Sequence, residues 1–196
     1  IKFPSDDFQT IDSAGEISAG SGNVSEFAFF SYFGRLNYDF DGKYLLKASI
    51  RRDGSSRFGS ANRYGVFPAF SAGWVISKED FLSSSNTISL LKLRASWGKT
   101  GNAEIGNFAS RDLWGANSYK QLPGYSANQP ENKDLTWEKS TQTDFGLDFG
   151  LFSNRISGEI DYYDKKTEGL LFYQNIPYTS GYSNIYRNIG DLSNKG

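Results

Sequence analysis

One stretch of the sequence, residues 31–82, decides the fold: SYFGRLNYDFDGKYLLKASIRRDGSSRFGSANRYGVFPAFSAGWVISKEDFL. Up to Phe40 the even positions are mainly apolar, whereas the odd positions become polar from Arg35 onwards. This period of two predicts a β-strand with one apolar face. Asp41-Gly42 predicts a tight hairpin turn, because glycine tolerates the positive φ that such turns need. The alternation resumes after the turn, with Leu46 and Lys47 on opposite faces of the return strand.

The same rhythm continues along the chain. Further alternating segments follow near 66–76, 91–97, 143–149 and 156–162, and another strand is expected near 185–189. Short turns near residues 41, 80 and 153 alternate with long loops near 58, 117 and 175. A membrane-spanning β-barrel is threaded in this way, with short periplasmic turns and long extracellular loops. We therefore predict an all-β chain that forms part of a transmembrane antiparallel up-and-down β-barrel. Pro68 interrupts one strand and is expected at a bulge or an irregular strand end.

Composition excludes several classes of function. The 16 Phe, 12 Tyr and 4 Trp favour strands, and a net charge of −1 argues against a nucleic-acid binder. The chain has no Cys and no His, which removes disulfides, thiolate metal sites and the commonest general base. We expect no enzymatic activity, no metal site and no cofactor.

The apolar face of these strands is unusually aromatic toward the strand ends. In a barrel, these rings would form the aromatic girdles at the two membrane interfaces. The residues expected at the inner girdle are Tyr38, Phe40, Tyr44, Trp74 and Phe149, and those at the outer girdle are Trp97, Trp137 and Tyr162. Phe30, Leu46, Phe70, Leu93, Leu147 and Ile160 are expected to face lipid. The alternative is a secreted β-sandwich that binds glycans, in which the same face would be buried against a second sheet.

The opposite face carries the candidate lumen-facing residues: Arg35, Lys47, Arg51, Arg94, Asp144, Asp148, Glu159 and Asp161. Paired carboxylates such as Glu159 and Asp161 also serve in glycoside hydrolysis. Their spacing of two favours a polar wall over a catalytic pair. The RRDGSSRFG segment at 51–59 lacks the helix and the lysine of a phosphate-binding loop, so a structural role is expected.

Several segments carry a resemblance to a known family. The residues 31–82 stretch, LKLRASWGKTGN at 91–102 and LTWEKSTQTDFGLDFGLFSNRISGEIDYYDKKTEGLL at 135–171 resemble the SusC/RagA family of TonB-linked outer-membrane receptors. The resemblance implies a location in the bacterial outer membrane. It also implies import of oligosaccharides or peptides, a SusD-like surface lipoprotein as partner, and energy supplied by TonB through parts outside this chain. A siderophore-type receptor with the same barrel is the alternative within transport.

The resemblance also shapes the expected domain organisation. Residues 1–196 are expected to be a partial barrel segment of a larger transporter, with the plug domain and the remaining strands absent from this sequence. No signal peptide is recognised, because the sequence opens IKFPSDD without a basic start and an apolar core. No transmembrane helix is recognised either, because the longest uncharged run, 170–186, is broken by Pro177 and Gly181. The long loops hold aromatic residues interleaved with Asn, Gln, Ser and Gly, which suits stacking on sugars or peptides. The candidate ligand-binding residues are Trp114, Tyr119, Tyr125 and Tyr178.

Overall fold

The computed structural model describes residues 24–119 and 122–196. Their elements are almost entirely strands, apart from two three-residue 3₁₀ turns at Ile76–Lys78 and Tyr178–Ser180. The strands are β1 (Phe29–Phe40), β2 (Tyr44–Ser55), β3 (Tyr64–Val75), β4 (Ile88–Asn102), β5 (Leu113–Tyr119), β6 (Leu122–Gln129), β7 (Glu138–Leu151), β8 (Ile156–Glu168), β9 (Leu171–Asn175), β10 (Asn184–Asn188) and β11 (Asp191–Lys195).

Seven of these strands form one antiparallel sheet in the order β1-β2-β3-β4-β7-β8-β11. We call this sheet the wall. Each wall strand pairs with the next wall strand along the chain, and β5–β6 and β9–β10 are separate hairpins inserted into two of the connections. The six strands β1–β4, β7 and β8 have 12 to 15 residues each, which suffices to cross a bilayer. The predicted meander of antiparallel strands is confirmed.

The connections alternate between the two ends of the wall. At one end β1 and β2 are joined by a tight turn, in which Asp41 and Gly42 have φ of 52° and 58°. The Gly42 N–H donates to Asp39 Oδ1 over 2.7 Å. The segments 76–87 and 152–155 close the same end, which we call the turn end. Residues 56–63, 103–119, 122–137 and 169–190 lie at the other end, the loop end, as the spacing predicted.

The strand register divides the wall into an apolar and a polar face. Phe70, for example, pairs with Trp97 and stacks on it with ring centroids 6.0 Å apart. The apolar side chains remain open: Leu46 is 50% exposed and Ile160 is 63% exposed. A sandwich would bury these side chains against a second sheet, so the sandwich alternative is wrong.

The buried hydrophobic core of the described residues lies at the loop end, between the loops and the end of β3. It consists of Phe58, Phe67, Ile105, Ala109, Leu135 and Trp137, and we call it the loop core. Trp137 is only 3% exposed, and its indole N–H donates to the Arg63 carbonyl over 3.2 Å. The expectation that Trp137 belongs to an outer aromatic girdle is therefore wrong. Its place directly before β7 puts it beyond the alternating part of the strand.

Two other details differ from the sequence prediction or refine it. The segment near 185–189 does form a strand, β10, but β10 pairs with β9, and the wall continues instead through β11. Pro68 lies inside β3 without a register shift against β2. The ladder between β3 and β4 ends at Ala69–Gly98, so Pro68 is the first residue beyond it. A residue without an N–H is tolerated at such a ladder end.

Candidate functional site on the polar face and in the long loops

All eight charged residues predicted for the polar face share that face. Arg35 lies on β1, Lys47 and Arg51 on β2, Arg94 on β4, Asp144 and Asp148 on β7, and Glu159 and Asp161 on β8. The basic residues come first along the wall, and the carboxylates lie on the two strands that follow β4.

Arg94 is the centre of an ion-pair network on this face. Its Nε lies 2.8 Å from Asp148 Oδ1, and its second terminal nitrogen lies 2.9 Å from Asp161 Oδ1 and 3.5 Å from Glu159 Oε2. Lys92 adds a contact of 3.4 Å to Asp148. Three carboxylates are thus balanced by two cations. The carboxylates considered as a catalytic pair, Glu159 and Asp161, both belong to this network.

Gly146 on β7, the strand between β4 and β8, makes the network possible. Arg94, Gly146 and Asp161 lie side by side on β4, β7 and β8. A Cβ at position 146 would lie 2.5 Å from Asp161 Oδ1 and 2.8 Å from Arg94 Cζ. The missing side chain lets the guanidinium cross β7 and reach a carboxylate two strands away.

The other charges on the face have different surroundings. Asp144 accepts hydrogen bonds from Ser96 Oγ at 2.9 Å and from Gln142 Nε2 at 2.7 Å. Arg51 Nε lies 2.6 Å from Asp53 Oδ1. Arg35 and Lys47 are diagonal neighbours on β1 and β2, and neither has a carboxylate within 4.0 Å among the described residues. The β1–β2 side of the polar face therefore keeps a positive surplus.

The RRDGSSRFG segment links β2 to the loop core. Phe58 is 1% exposed and packs on Trp137 with ring centroids 5.2 Å apart. Arg57 donates to Asn107 Oδ1 at 3.0 Å and to the Ala103 carbonyl at 3.1 Å. Its guanidinium also lies 4.4 Å from the centre of the Phe27 ring. These contacts connect protein to protein, in keeping with the structural role expected for the segment.

The β5–β6 hairpin presents two of the four candidate ligand-binding residues on one surface. Trp114 pairs with Ala127, and Tyr125 pairs with Ala116, so the two rings are diagonal neighbours on the same face of the hairpin. Trp114 is 61% exposed and Tyr125 is 82% exposed. Tyr119 ends β5, and its side chain lies outside what the structure describes.

The fourth candidate, Tyr178, lies in the 3₁₀ turn between β9 and β10 and is 84% exposed. This loop is tied to the β5–β6 hairpin by Asp112, which the sequence reasoning did not single out. Its carboxylate accepts from Trp114 Nε1 at 3.1 Å and from Tyr182 Oη at 3.2 Å. Burial, together with the hydrogen bond to Asp112, raises the pKa of Tyr182 above its usual value. One carboxylate thus fixes an indole and a phenol from two different loops.

Side-chain amides, also missed from the sequence, fix the loops to one another. Asn188 Nδ2 donates to the carbonyls of Thr136 and Gly169, and its Oδ1 accepts from the Thr136 N–H. Asn132 Nδ2 donates to the Tyr186 carbonyl at 2.7 Å. No sequence motif marks these residues, since Asn-rich stretches are equally typical of solvated loops. The three long loops form one packed unit at the loop end.

At the turn end, Glu79 joins two rings of the inner aromatic group. Its Oε1 accepts from Tyr44 Oη at 2.7 Å and from Trp74 Nε1 at 2.9 Å, and Lys43 Nζ lies 3.5 Å from its Oε2. The Tyr44 and Trp74 rings are stacked with centroids 6.4 Å apart. The hydrogen bond from Trp74, then that from Tyr44, lowers the pKa of the Glu79 carboxyl below its usual range.

The described residues show no cluster of acidic groups suited to a metal ion. No helix in 24–119 or 122–196 is long and apolar enough to cross a bilayer. A single antiparallel meander with an exposed apolar face, aromatic rings near its ends and loops gathered at one end is part of the wall of a membrane-spanning β-barrel.

The comparisons identify the family. A family model described as "TonB dependent receptor-like, beta-barrel" matches residues 2–196, and the chain belongs to this family. It is 42% identical to TonB-dependent receptor P39 of Formosa agariphila, in a match that covers 100% of this chain and 19% of the relative. It is 45% identical to TonB-dependent receptor SusC of Bacteroides thetaiotaomicron over 85% of this chain and 17% of the relative. The resemblance to SusC-type receptors is thereby confirmed.

Comparison with solved structures supports the same family and fold. The RagAB peptide transporter matches with a TM-score of 0.84 and 38% identity, covering 97% of this chain and 22% of that chain. The siderophore receptor PirA of Pseudomonas aeruginosa matches with a TM-score of 0.56 and 15% identity, covering 87% of this chain and 30% of that chain. This second likeness shows the fold alone. The chain spans about a fifth of the length of the relatives it matches, and its place is the outer membrane.

Proposed function

We propose that this chain forms a seven-stranded section of the wall, and three of the outer loops, of a SusC-type TonB-dependent transporter. The transporter imports oligosaccharides or peptides together with a SusD-like lipoprotein, and TonB acts through parts of the receptor outside this chain. The observation that supports this most strongly is the wall itself, a meander with one apolar and one polar face. The match of the chain to the RagAB structure, at 38% identity, supports the same proposal. The siderophore alternative rests on 15% identity and on fold alone.

The two faces of the wall have separate roles in this proposal. The apolar face meets lipid, because Phe70 and Ile160 lie open on it and no described layer covers them. The polar face lines the lumen and packs against the plug domain, as in the 22-stranded transporters whose lumen is plugged. The Arg94 network then stabilises the wall rather than performing chemistry. The chain holds no catalytic residue, and its carboxylates serve as partners for Arg94 and Lys92.

The rings at the loop end are proposed to meet the ligand or the lipoprotein partner. Trp114 and Tyr125 form an open two-ring surface on one hairpin, and Tyr178 is exposed on the neighbouring loop. Aromatic rings supply a large contact area at a low cost in conformational entropy. The hydrogen bond from Trp114 to Asp112 restrains the indole ring of this surface. Tyr119 is kept as a candidate on its position at the end of β5.

The test is ligand binding, capture of the lipoprotein and uptake by the intact receptor carrying Trp114→Ala or Tyr178→Ala. A ring that stacks on a ligand contributes about 1 kcal/mol, so affinity should fall roughly fivefold or more. Phe81→Ala is the matched control, because Phe81 is an exposed ring at the turn end, 71% accessible. Unchanged binding, capture and uptake in both loop variants would contradict the role of these rings and leave the wall assignment standing.

A further inference from the structure

The apolar face changes its character near the loop end. Its successive cross-strand rows read Leu93–Leu147–Ile160, Ala95–Phe145–Tyr162 and Trp97–Thr143–Asp164. The next row is Lys99–Thr141–Lys166, and beyond it Lys139 pairs with Glu168. The face thus turns from apolar to charged within two residues on β4 and β8, and through Thr143 and Thr141 to Lys139 on β7.

Five basic residues lie at this level on the apolar-face side, and we call them the basic belt: Arg52, Lys99, Lys139, Lys166 and Lys195. The turn-end half of the same face is uncharged. Its positions on the described wall strands, from Leu36 and Tyr38 to Leu147 and Ile160, carry no charged residue. On the described wall strands, the charged rows of the apolar face are therefore confined to its loop-end part.

Two residues of the belt lie close to aromatic rings of the same face. The Arg52 guanidinium lies 4.4 Å from the centre of the Tyr64 ring, and Lys99 Nζ lies 5.8 Å from the centre of the Trp97 ring. A long basic side chain that covers an interfacial ring extends its charged end toward the headgroup layer. This arrangement places the cations where the hydrocarbon ends.

Part of the belt lacks a partner in the described protein. Lys195 lies 2.9 Å from Asp164 Oδ2, and Lys166 is paired with Glu168. Arg52, Lys99 and Lys139 have no carboxylate within 4.0 Å among residues 24–119 and 122–196. Lys99 and Lys139 are diagonal neighbours on β4 and β7, with the Thr141 hydroxyl group opposite Lys99. Two adjacent cations beside a hydroxyl suit a phosphate group.

We propose that the basic belt binds the phosphate groups of lipid headgroups in the leaflet at the loop end. Arg52, Lys99 and Lys139 make the contacts, and the Lys166–Glu168 and Lys195–Asp164 pairs border the site. The proposal rests on the proposed facing of the wall, in which the apolar face meets lipid. Continuity with that face selects a lipid headgroup over a soluble anion.

The experiment measures thermal unfolding of the intact receptor in neutral-detergent micelles that contain either phosphatidic acid or phosphatidylcholine. The double variant Lys99→Gln/Lys139→Gln is compared with Arg35→Gln/Lys47→Gln, which removes the same charge from the polar face. Wild type and the polar-face variant should have a higher Tm in phosphatidic acid. The belt variant should lose roughly half of that shift or more, since two of three unpaired cations are gone.

An equal loss in both variants, or no loss in either, would overturn the proposal. Inorganic phosphate at the same concentration should leave Tm unchanged, and an equal shift would assign the site to free anions instead. Lys99→Arg/Lys139→Arg keeps the charge and should keep the shift; its loss would also overturn the proposal. If the belt variant does not assemble, native mass spectrometry of the wild-type receptor replaces it as the test. Equal retention of phosphatidic acid and phosphatidylcholine would then reject the proposal. Failure of the facing itself is separate, since it would show as normal assembly of Leu46→Arg.

Discussion

Gly146 shows how the polar face depends on the absence of a side chain. The residue lies between Arg94 and Asp161 on the neighbouring strands, and the guanidinium occupies the space above it. Glycine weakens a strand through its conformational freedom. At this position that loss is offset by an ion pair that spans three strands.

Gly146→Ala is therefore expected to destabilise the barrel. The added methyl group overlaps Asp161 and Arg94, and overpacking of this kind costs about 1–3 kcal/mol. Gly34→Ala is the matched control, since a Cβ there would meet only Ile50 at 3.9 Å. Urea unfolding of the intact receptor in detergent measures both. A loss of stability no greater than in the control would show that the Arg94 network is not limited by space.

Glu79 gives a prediction on pH. Its pKa is lowered in the folded chain, so its contribution to stability is complete above the ordinary carboxyl pKa of about 4.3 and is lost as pH falls through the lower folded value. The Tm advantage of wild type over Glu79→Gln should therefore shrink between about pH 5 and pH 3. Asp80→Asn, at a fully exposed neighbour, is the control. A difference in Tm between wild type and Glu79→Gln that stays constant from pH 5 to pH 3 would contradict this role.

At the scale of elements, alternation predicted the parts of the wall that cross the membrane and little else. Strands β1 to β4, β7 and β8 carry the period of two, which the proposed facing explains by one face toward lipid and the other toward a polar lumen. β11 pairs only with the polar part of β8, from Asp164 to Glu168, so its sequence DLSNK lacks that pattern. The β5–β6 hairpin is hidden in a stretch rich in Gly and Asn. Its pairing is local and leaves no periodic signal.

For the candidate site, the sequence predicted which residues share a face but not which side chains contact one another. The eight charged residues of the polar face follow from parity alone, since every second residue of a strand shares a face. Their partners do not, because the reach of Arg94 over Gly146 depends on which strands are neighbours. Asp112 and Trp137 lie outside alternating segments, and their contacts arise from the packing of loops that are distant in sequence.

The faces of β2 give a prediction at this scale. Leu46 and Lys47 are adjacent but point to opposite faces. A Lys or Arg near the midplane of the lipid face costs about 2–4 kcal/mol, so Leu46→Arg should impair assembly far more than Lys47→Ala. The measurement is the yield of folded, heat-modifiable receptor in the outer membrane. Equal yields for the two variants would contradict the proposed facing.

At the scale of the whole molecule, the wall is a section of a larger closed structure. In the described chain β1 and β11 are the edges of the sheet, and open edges are not tolerated in hydrocarbon. We therefore expect both edges to pair with further strands. The loop core closes the loop end of this section through Phe58, Trp137 and Leu135, which are between 0% and 3% exposed. A packed loop unit at one end of a membrane-spanning wall is consistent with the proposed role of these loops in binding.

The central claim is that one face of the wall meets lipid and the other faces the lumen. Nitroxide labels at single cysteines from Tyr44→Cys to Ile50→Cys, in the intact receptor in bilayers, test it most directly. This chain has no cysteine of its own. Collision rates with oxygen should alternate, with maxima at the labels replacing Tyr44, Leu46, Ala48 and Ile50, because oxygen concentrates in lipid. Maxima at the labels replacing Leu45, Lys47 and Ser49, or no alternation at all, would contradict the account.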